Sequence, residues 1–509
     1  MAQAAEQPIH HVTAAKDRIP FFQKFTYSMG AFANTAQAAF LANMVAILNL
    51  GLGINPALVG FIGFLPRIMD AVSDPVTGYF SDTLRTRWGR RRPLILFGSI
   101  TGGILFALMF QLYKGHSEMF YFGYFLTLQC LFFLCFTCFS IPWIALGYEM
   151  TPDYHERTRL QAASSFVGQL PWFIAPWTWI ILFNKSWFTD GVEGVRVVSI
   201  IIGACLILGG IMPAIFNKEY FTNLPKPKES GAWNVMKKFF KGLVIAFQCG
   251  PFVKLCAATL LIFGGFMLAS AFTLYVVFYY VYQNAGSIDA ARSSGGILLG
   301  WYGSLSALCS MGVIYLTDFL SKRVGKRNTF FITIPISIFG YALKWFGYNP
   351  DFPYLLLMTA PFVTFGLGSL FTLMNSMIAD VCDLDELNTG ERREGTFSAA
   401  YWWMVKLGVA LASLISGFMF NIVGFDVALD LGQSASSLFW MRVCDVGIPI
   451  VTSLVAILII ATFDISENKA YDIREQIERR REERRKEERR TSERRAEERR
   501  AEERREKGQ

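Results

Sequence analysis

The sequence predicts an all-α membrane protein: twelve transmembrane helices in two six-helix halves, followed by a charged tail. Three observations carry that expectation. Of 509 residues, 53% are hydrophobic and only 17% charged, too little charge to cover the surface of a soluble chain of this length. Apolar stretches of about 20 residues, enough to cross roughly 30 Å of hydrocarbon, follow one another along the chain. A basic loop motif occurs twice, 236 residues apart. A soluble enzyme or a nucleic-acid-binding domain is excluded as the main activity.

Apolar runs bounded by turn residues and charges place spans near 25–50, 56–81, 93–113, 119–147, 160–184, 196–217, 252–283, 294–319, 328–347, 353–379, 396–423 and 437–463. The first 20 residues are polar where a signal peptide would have an apolar core, and residues 1–24 read as a cytoplasmic N-terminus. Residues 25–217 form the first bundle and 251–463 the second. Between them, 218–250 carry Lys218, Lys226, Lys228, Lys237, Lys238 and Lys241 with two prolines, and read as a cytoplasmic central loop. Residues 464–509 are the cytoplasmic tail. Of the nine cysteines, Cys135 and Cys138 form a C-x-x-C inside a predicted span, where no redox or metal role is expected.

Orientation follows from the basic residues. Arg85, Arg87, Arg90, Arg91 and Arg92 follow the second span, and Lys322, Arg323, Lys326 and Arg327 follow the eighth. With the lysines of the central loop they fall on one side, which the positive-inside rule makes cytoplasmic together with both termini.

The loop Tyr79-Phe-Ser-Asp82-Thr-Leu-Arg-Thr-Arg87-Trp-Gly89-Arg-Arg91 recurs as Tyr315-Leu-Thr-Asp318-Phe-Leu-Ser-Lys-Arg323-Val-Gly325-Lys-Arg327. Tyr, Asp, Leu, Arg and Gly stay in register, so the halves read as parallel repeats. The Asp-x4-Arg-x-Gly-Arg-Arg pattern resembles the loop signature of the major facilitator superfamily, in which the Asp holds one gate shut. That resemblance implies gating roles for Asp82 and Asp318, with Arg87 and Arg323 beside them, although topology alone accounts for most of the arginines.

The second span contains Arg67-Ile-Met-Asp70-Ala-Val-Ser73-Asp74-Pro75. Asp70 and Asp74 are i and i+4, so both carboxylates leave one helical face, with Arg67 and Ser73 nearby. Two carboxylates inside a membrane are costly unless something positive sits between them. A transported Na⁺ meets that need, as does one shared proton, because adjacent carboxylates raise one another's affinity for H⁺. A static salt-bridge cluster with Arg67 and another helix is the alternative. Lys406, in Tyr401-Trp-Trp-Met-Val-Lys406-Leu-Gly408 midway along the eleventh span, needs a carboxylate partner. The Asp70/Asp74 pair across the interface of the halves supplies one, so that Lys406 competes with the cation and links occupancy to conformation.

The second-span segment Arg67–Tyr79, the later Ile378-Ala-Asp380-Val-Cys-Asp383-Leu-Asp385-Glu386-Leu387, and Met404-Val-Lys406-Leu-Gly408 resemble the glycoside-pentoside-hexuronide:cation symporters (melibiose-permease-like) of that superfamily. The resemblance spans residues 20–465 or so, mostly as topology. It implies a cation site of Asp70, Asp74 and Thr137, the last in Cys135-Phe-Thr137-Cys-Phe-Ser140-Ile-Pro142-Trp143. Ser73 stands where the family pattern has Asn; its hydroxyl still offers Na⁺ a hard oxygen, and Na⁺ and H⁺ both stay open as coupling ion. No cofactor beyond that ion is expected. Where the pattern grips galactosyl hydroxyls with two Asp and an Arg, this chain has Thr35, Ser140 and Ser165, and the stacking Trp falls one position off, at Ile144 beside Trp143. A galactoside-type site is therefore not preserved.

A polar and aromatic set is expected to line the central cavity instead: Asn34, Thr35 and Gln37, Ser140 and Trp143, Gln169 and Trp172, Tyr275 and Tyr279, Asn375 and Trp402. Interfacial anchoring or helix–helix hydrogen bonding accounts equally well for each one alone. Together they favour a neutral, hydroxyl-rich solute, and Lys406 with Arg67 also suits a uronide. The acidic stretch Asp380, Asp383, Asp385 and Glu386, followed by Arg392 and Arg393, reads as cytoplasmic gate salt bridges, with a counterpart in Glu149–Arg159.

From Glu478 to Lys507 there are 15 Lys/Arg and 11 Glu, arranged from Arg479 onward in pentads such as R-E-E-R-R, so half of the formal +8 lies in the tail. Helical propensity is high, but five residues advance a helix by about 500°, so no apolar or basic face accumulates, and a solvated, salt-sensitive helix or a disordered segment is expected.

The function these readings converge on is cation-coupled symport of a glycoside, sugar or uronide across a bacterial inner membrane by alternating access. The expected partners are a small solute and membrane lipids, without nucleic acid, for a chain working as a monomer. The same superfamily branch includes lysolipid sodium symporters, which gives a second reading. A transporter-like sensor signalling through its tail is the third.

Overall fold

The structure is a computed structural model that describes residues 18–151, 153–219, 231–465 and 467–483, with Lys486 and Thr491. Its helices are α1 (Phe21–Leu50), α2 (Pro56–Thr83), α3 (Arg92–Met109), α4 (Glu118–Glu149), α5 (Tyr154–Ile174), α6 (Gly191–Phe216), α7 (Ala232–Phe247), α8 (Gly250–Val281), α9 (Ile288–Val324), α10 (Lys326–Gly347), α11 (Pro353–Thr389), α12 (Glu394–Ile422) and α13 (Ala435–Ala461). Residues 467–483 form a further helix, α14.

Helix entry is set locally. Asn55 accepts from the Ala57 N–H ahead of α2, Ser117 from Phe120 ahead of α4, Asp190 from Glu193 ahead of α6, Ser287 from Ala290 ahead of α9 and Ser434 from Ser437 ahead of α13. Each side chain satisfies a backbone donor that the first helical turn would leave orphaned, and all five starts lie at the end of the bundle opposite the basic loops.

Among the described residues, eleven helices are long and apolar enough to cross a membrane. The fifth expected span, 160–184, falls short. It is built from α5, a 3₁₀ turn at Ala175–Trp177 and a short helix Thr178–Leu182. Pro171 and Pro176 disturb the helical hydrogen bonding there, and Gln161, Ser164, Ser165 and Gln169 dilute its apolar character. Two further elements were not singled out in the sequence: α7 within the central connection, and α14. On α14, Ile473 and Ile477 are buried i, i+4 neighbours that dock the start of the tail. Apart from Lys486 and Thr491, the pentads beyond 483 lie outside the described residues.

The halves meet along two seams, α2 against α12 and α5 against α9. Glycine makes the first seam close: a Cβ on Gly417 would collide with the Pro56 carbonyl oxygen and stand 2.9 Å from Gly60 Cα. Between membrane helices, such small-residue contact replaces the hydrophobic drive that lipid removes. The repeated loops need glycine for another reason. Gly89 and Gly325 occupy equivalent repeat positions at φ +106° and +82°, and the space beside each is filled by a carboxylate, Glu219 and Glu467 respectively. Glu219 accepts from the backbone N–H groups of Arg90 and Arg91 at 3.1 and 2.8 Å, capping the start of α3.

Gly417→Val is expected to cost about 1–3 kcal/mol through overpacking of this seam. Thermal denaturation of the purified protein reads it as a lowered Tm. Gly447→Ala, whose added methyl would meet only Val443 at 3.8 Å, is expected to leave Tm unchanged.

Candidate cation and solute site

Midway along α2 the chain places Arg67, Asp70, Ser73 and Asp74 against α4 and α12. Asp70 and Thr137 are buried, and Ser73 and Asp74 half-buried. Thr137 Oγ1 donates to Asp70 Oδ1 at 2.9 Å and is itself 3.4 Å from Ser73 Oγ. Lys406 of α12 inserts its Nζ between the carboxylates, 2.5 Å from Asp74 Oδ2 and 2.9 Å from Asp70 Oδ2. Arg67 is more distant, with Nη1 3.9 Å from Asp70 Oδ2 and its guanidinium 4.5 Å above the Phe133 ring. The fold thus unites all the residues expected at the cation site with both expected coupling cations. In this arrangement the ammonium supplies the positive charge that the carboxylates require, and it ties one half to the other.

The expected solute residues do not form one surface. Trp402 lies one turn from Lys406 on α12, exposed and stacked on Phe371 at 5.9 Å. Asn375, one turn from Phe371, is also exposed, as are Gln169 and Trp172 on α5. Asn34, Thr35 and Ser140 are half-buried, and Gln37 is buried with its Oε1 unpartnered. Trp143 is packed away: its indole stacks on Tyr27 at 5.1 Å and donates to the Tyr27 carbonyl at 3.1 Å. Tyr275 and Tyr279 are buried at the end opposite the basic loops, where the halves are joined. Tyr275 donates to Asn49 Oδ1 at 3.1 Å, and Arg292 donates both to Tyr279 OH at 3.3 Å and to the Leu50 carbonyl at 3.1 Å. Asn421 to Asn55 at 2.7 Å and Lys185 to Asp289 at 2.9 Å reinforce the same end.

At the basic-loop end, ion pairs close within each half. Arg91 bridges Asp82 at 2.8 Å and Glu149 at 2.7 Å, and Arg90 also pairs with Glu149. In the repeat, Lys326, at the position equivalent to Arg90, pairs with Asp380 at 2.6 Å. Asp318 departs from Asp82, pairing with Lys322 at 2.6 Å on its own helix. Arg87 and Arg323 are exposed, the latter over the Phe319 ring at 4.3 Å. Asp383 is 3.3 Å from Arg474 and Glu386 is 2.6 Å from Arg481, so these acids hold α14.

The sequence reading missed Arg292, which lies inside α9 though it precedes the expected start of that span, and Glu219, whose role is visible only once Gly89 is seen to leave room for it.

The profile of the MFS/sugar transport protein family matches residues 26–467. The glucuronide carrier protein homolog of Escherichia coli (strain K12) is 25% identical over 461 residues, covering 90% of this chain and 95% of that protein. The isoprimeverose transporter of Lactiplantibacillus pentosus is 24% identical over 493 residues, covering 93% and 95%. In fold, a crystal structure of the nucleoside transporter NupG aligns with TM-score 0.59 at 13% identity, over 86% of this chain and 99% of that one.

Lys406→Met leaves two carboxylates facing each other with no cation between them, and is expected to lower stability by about 2 kcal/mol, discounted from a fully buried pair because the site is partly exposed. Adding Asp74→Asn removes the surplus negative charge and should recover most of the loss. Denaturation midpoints of the single and double variants check both expectations.

Proposed function

This chain belongs to the MFS/sugar transport protein family and is an integral multi-pass secondary transporter, and from that premise we propose that it couples a cation, Na⁺ or H⁺, to the symport of a sugar-like solute. The observation that carries the proposal is the Lys406 ammonium held between Asp70 and Asp74 across the α2–α12 seam. A cation binding both carboxylates replaces that ammonium. Na⁺ would find oxygens from Asp70, Asp74, Thr137 and Ser73; a proton would neutralise one carboxylate. Either way Lys406 is released and the mid-membrane tie between the halves is cut, which lowers the cost of rocking one against the other.

The solute side is supported by exposed polar and aromatic side chains and by the cations of the site. Trp402 offers an aromatic face one turn from Lys406, Asn375 and Gln169 offer amides, and Arg67 with the released Lys406 offers positive charge. That chemistry suits a hydroxyl-rich glycoside or, through the cations, a uronide. With the basic loops and both termini cytoplasmic in a bacterial inner membrane, the Asn49, Leu50, Tyr275, Tyr279 and Arg292 contacts form a closed outer gate, and the protein works as a monomer.

The deciding experiment is uptake into proteoliposomes of a panel of glycosides, uronides and lysolipids, under imposed Na⁺ or H⁺ gradients. Gradient-driven accumulation of a glycoside or uronide is expected, and Asp74→Asn should abolish it while leaving solute-dependent thermal stabilisation. Accumulation of lysolipid alone would replace the sugar reading, and solute binding without accumulation under either gradient would replace transport by sensing.

A further inference from the structure

A second buried ion pair lies apart from Asp70 and Asp74. Lys344 on α10 and Asp445 on α13 are 2% and 0% exposed, with Lys344 Nζ 2.9 Å from Asp445 Oδ1. Thr273 of α8 completes the group: its hydroxyl donates to Asp445 Oδ1 at 2.7 Å and accepts from Lys344 Nζ at 2.7 Å. Tyr348 donates to Asp445 Oδ2, also at 2.7 Å. The buried carboxylate thus accepts from three side chains, one on α8, one on α10 and one just beyond the end of α10, the arrangement of a fixed strut. Desolvating two charges is unfavourable compared with packing apolar side chains in the same volume, so the pair has to be explained by the geometry it imposes.

That geometry concerns α8. Thr273 and Tyr275 are two residues apart, about 200° around a helix. One is turned into the second half, and the other reaches Asn49 of the first. Directly beyond, at Val277–Val281, α8 widens into a π-helical turn, closed by the Tyr282 N–H donating to the Val277 carbonyl at 3.2 Å. Such turns interrupt the regular ladder and occur often at functional sites. Tyr279, inside the turn, receives the Arg292 guanidinium that also grips Leu50. The contacts that close the end opposite the basic loops thus stand on a widened segment of helix, anchored one to two turns away by Thr273, Asp445 and Lys344.

We propose that Thr273, Asp445 and Lys344 are positioning residues for the outer gate: they fix the rotation of α8 so that Tyr275 meets Asn49 of the first half and Tyr279 holds Arg292 against Leu50, and the π-turn is the hinge at which the segment beyond swings when the gate opens. The proposal rests on reading the basic loops as cytoplasmic.

Leu50→Cys provides the probe, because the gate contact there uses only the backbone carbonyl and the side chain is buried. The labelling rate of the thiol introduced by Leu50→Cys, with a membrane-impermeant maleimide, is measured in sealed vesicles of each orientation, above the background of the native cysteines. Arg87→Cys, made separately, marks the basic-loop side. Thr273→Val unlinks α8 while leaving the Lys344–Asp445 pair intact for folding. It is expected to raise labelling of the gate thiol from the outer side about fivefold, the population change that one net hydrogen bond produces, and Thr273→Ser should restore the original rate. The double variant Lys344→Met/Asp445→Leu removes both charges together and should behave like Thr273→Val. Unchanged labelling of the gate thiol in Thr273→Val and in the double variant would overturn the proposal, even if transport falls. Labelling of the gate thiol only from the side that labels the Arg87→Cys variant would overturn the orientation beneath it.

Discussion

Two carboxylates one turn apart on a helix in hydrocarbon must share a positive charge, and the arrangement around Asp70 and Asp74 answers that requirement. Their own helix does not meet it: Arg67 stays 3.9 Å from Asp70, drawn over the Phe133 ring. The charge comes from Lys406 on the other half, and a lysine can reach only if α2 and α12 run close. Gly60 and Gly417 provide that approach by letting the backbones touch. The seam and the ion cluster are one construction: glycines set the distance, the lysine spans it, and Thr137 orients the buried Asp70.

The two ends of the bundle use polar contacts differently. At the basic-loop end, Arg90 and Arg91 with Glu149, and Lys326 with Asp380, join loops to helices of the same half. Those contacts survive any rocking of one half against the other. At the opposite end, Asn49, Asn55 and Leu50 of the first half meet Tyr275, Asn421 and Arg292 of the second. Those must break for that end to open. Rigidity within halves and breakable contacts between them is the division of labour that alternating access demands.

How much of this was legible in the sequence depended on whether a residue's meaning was local. Asp70, Asp74 and Lys406 stood out because charges in apolar runs are rare, and i, i+4 spacing fixes a shared face without knowledge of the fold. The repeated loop was legible for the same reason, since Gly89 and Gly325 answer a backbone requirement at φ above zero that recurs in register. Lys344 and Asp445 carried the same signal inside expected spans, but 101 residues separate them and neither names its partner. Trp143, Tyr275 and Tyr279 were ambiguous in kind: a buried aromatic and a cavity aromatic look alike until packing shows Trp143 against Tyr27 and the tyrosines against Asn49 and Arg292. The fifth span shows the reverse case, where polar residues and prolines leave a helix in place but weaken the hydropathy that betrays it.

If the halves move as rigid bodies, the seams carry the energetics. The glycine contacts of α2 with α12 bring backbone against backbone without charge, whereas an ammonium–carboxylate contact in a membrane is strong and specific. Whatever occupies Asp70 and Asp74 therefore bears on whether that seam is tied at mid-membrane. On the proposed symport, a cation bound there would free Lys406, one turn from the exposed Trp402, to donate to a solute oxygen. The side chain that ties α2 to α12 at mid-membrane would then be a donor for the cargo, and coupling on that proposal needs no longer pathway than the length of one lysine.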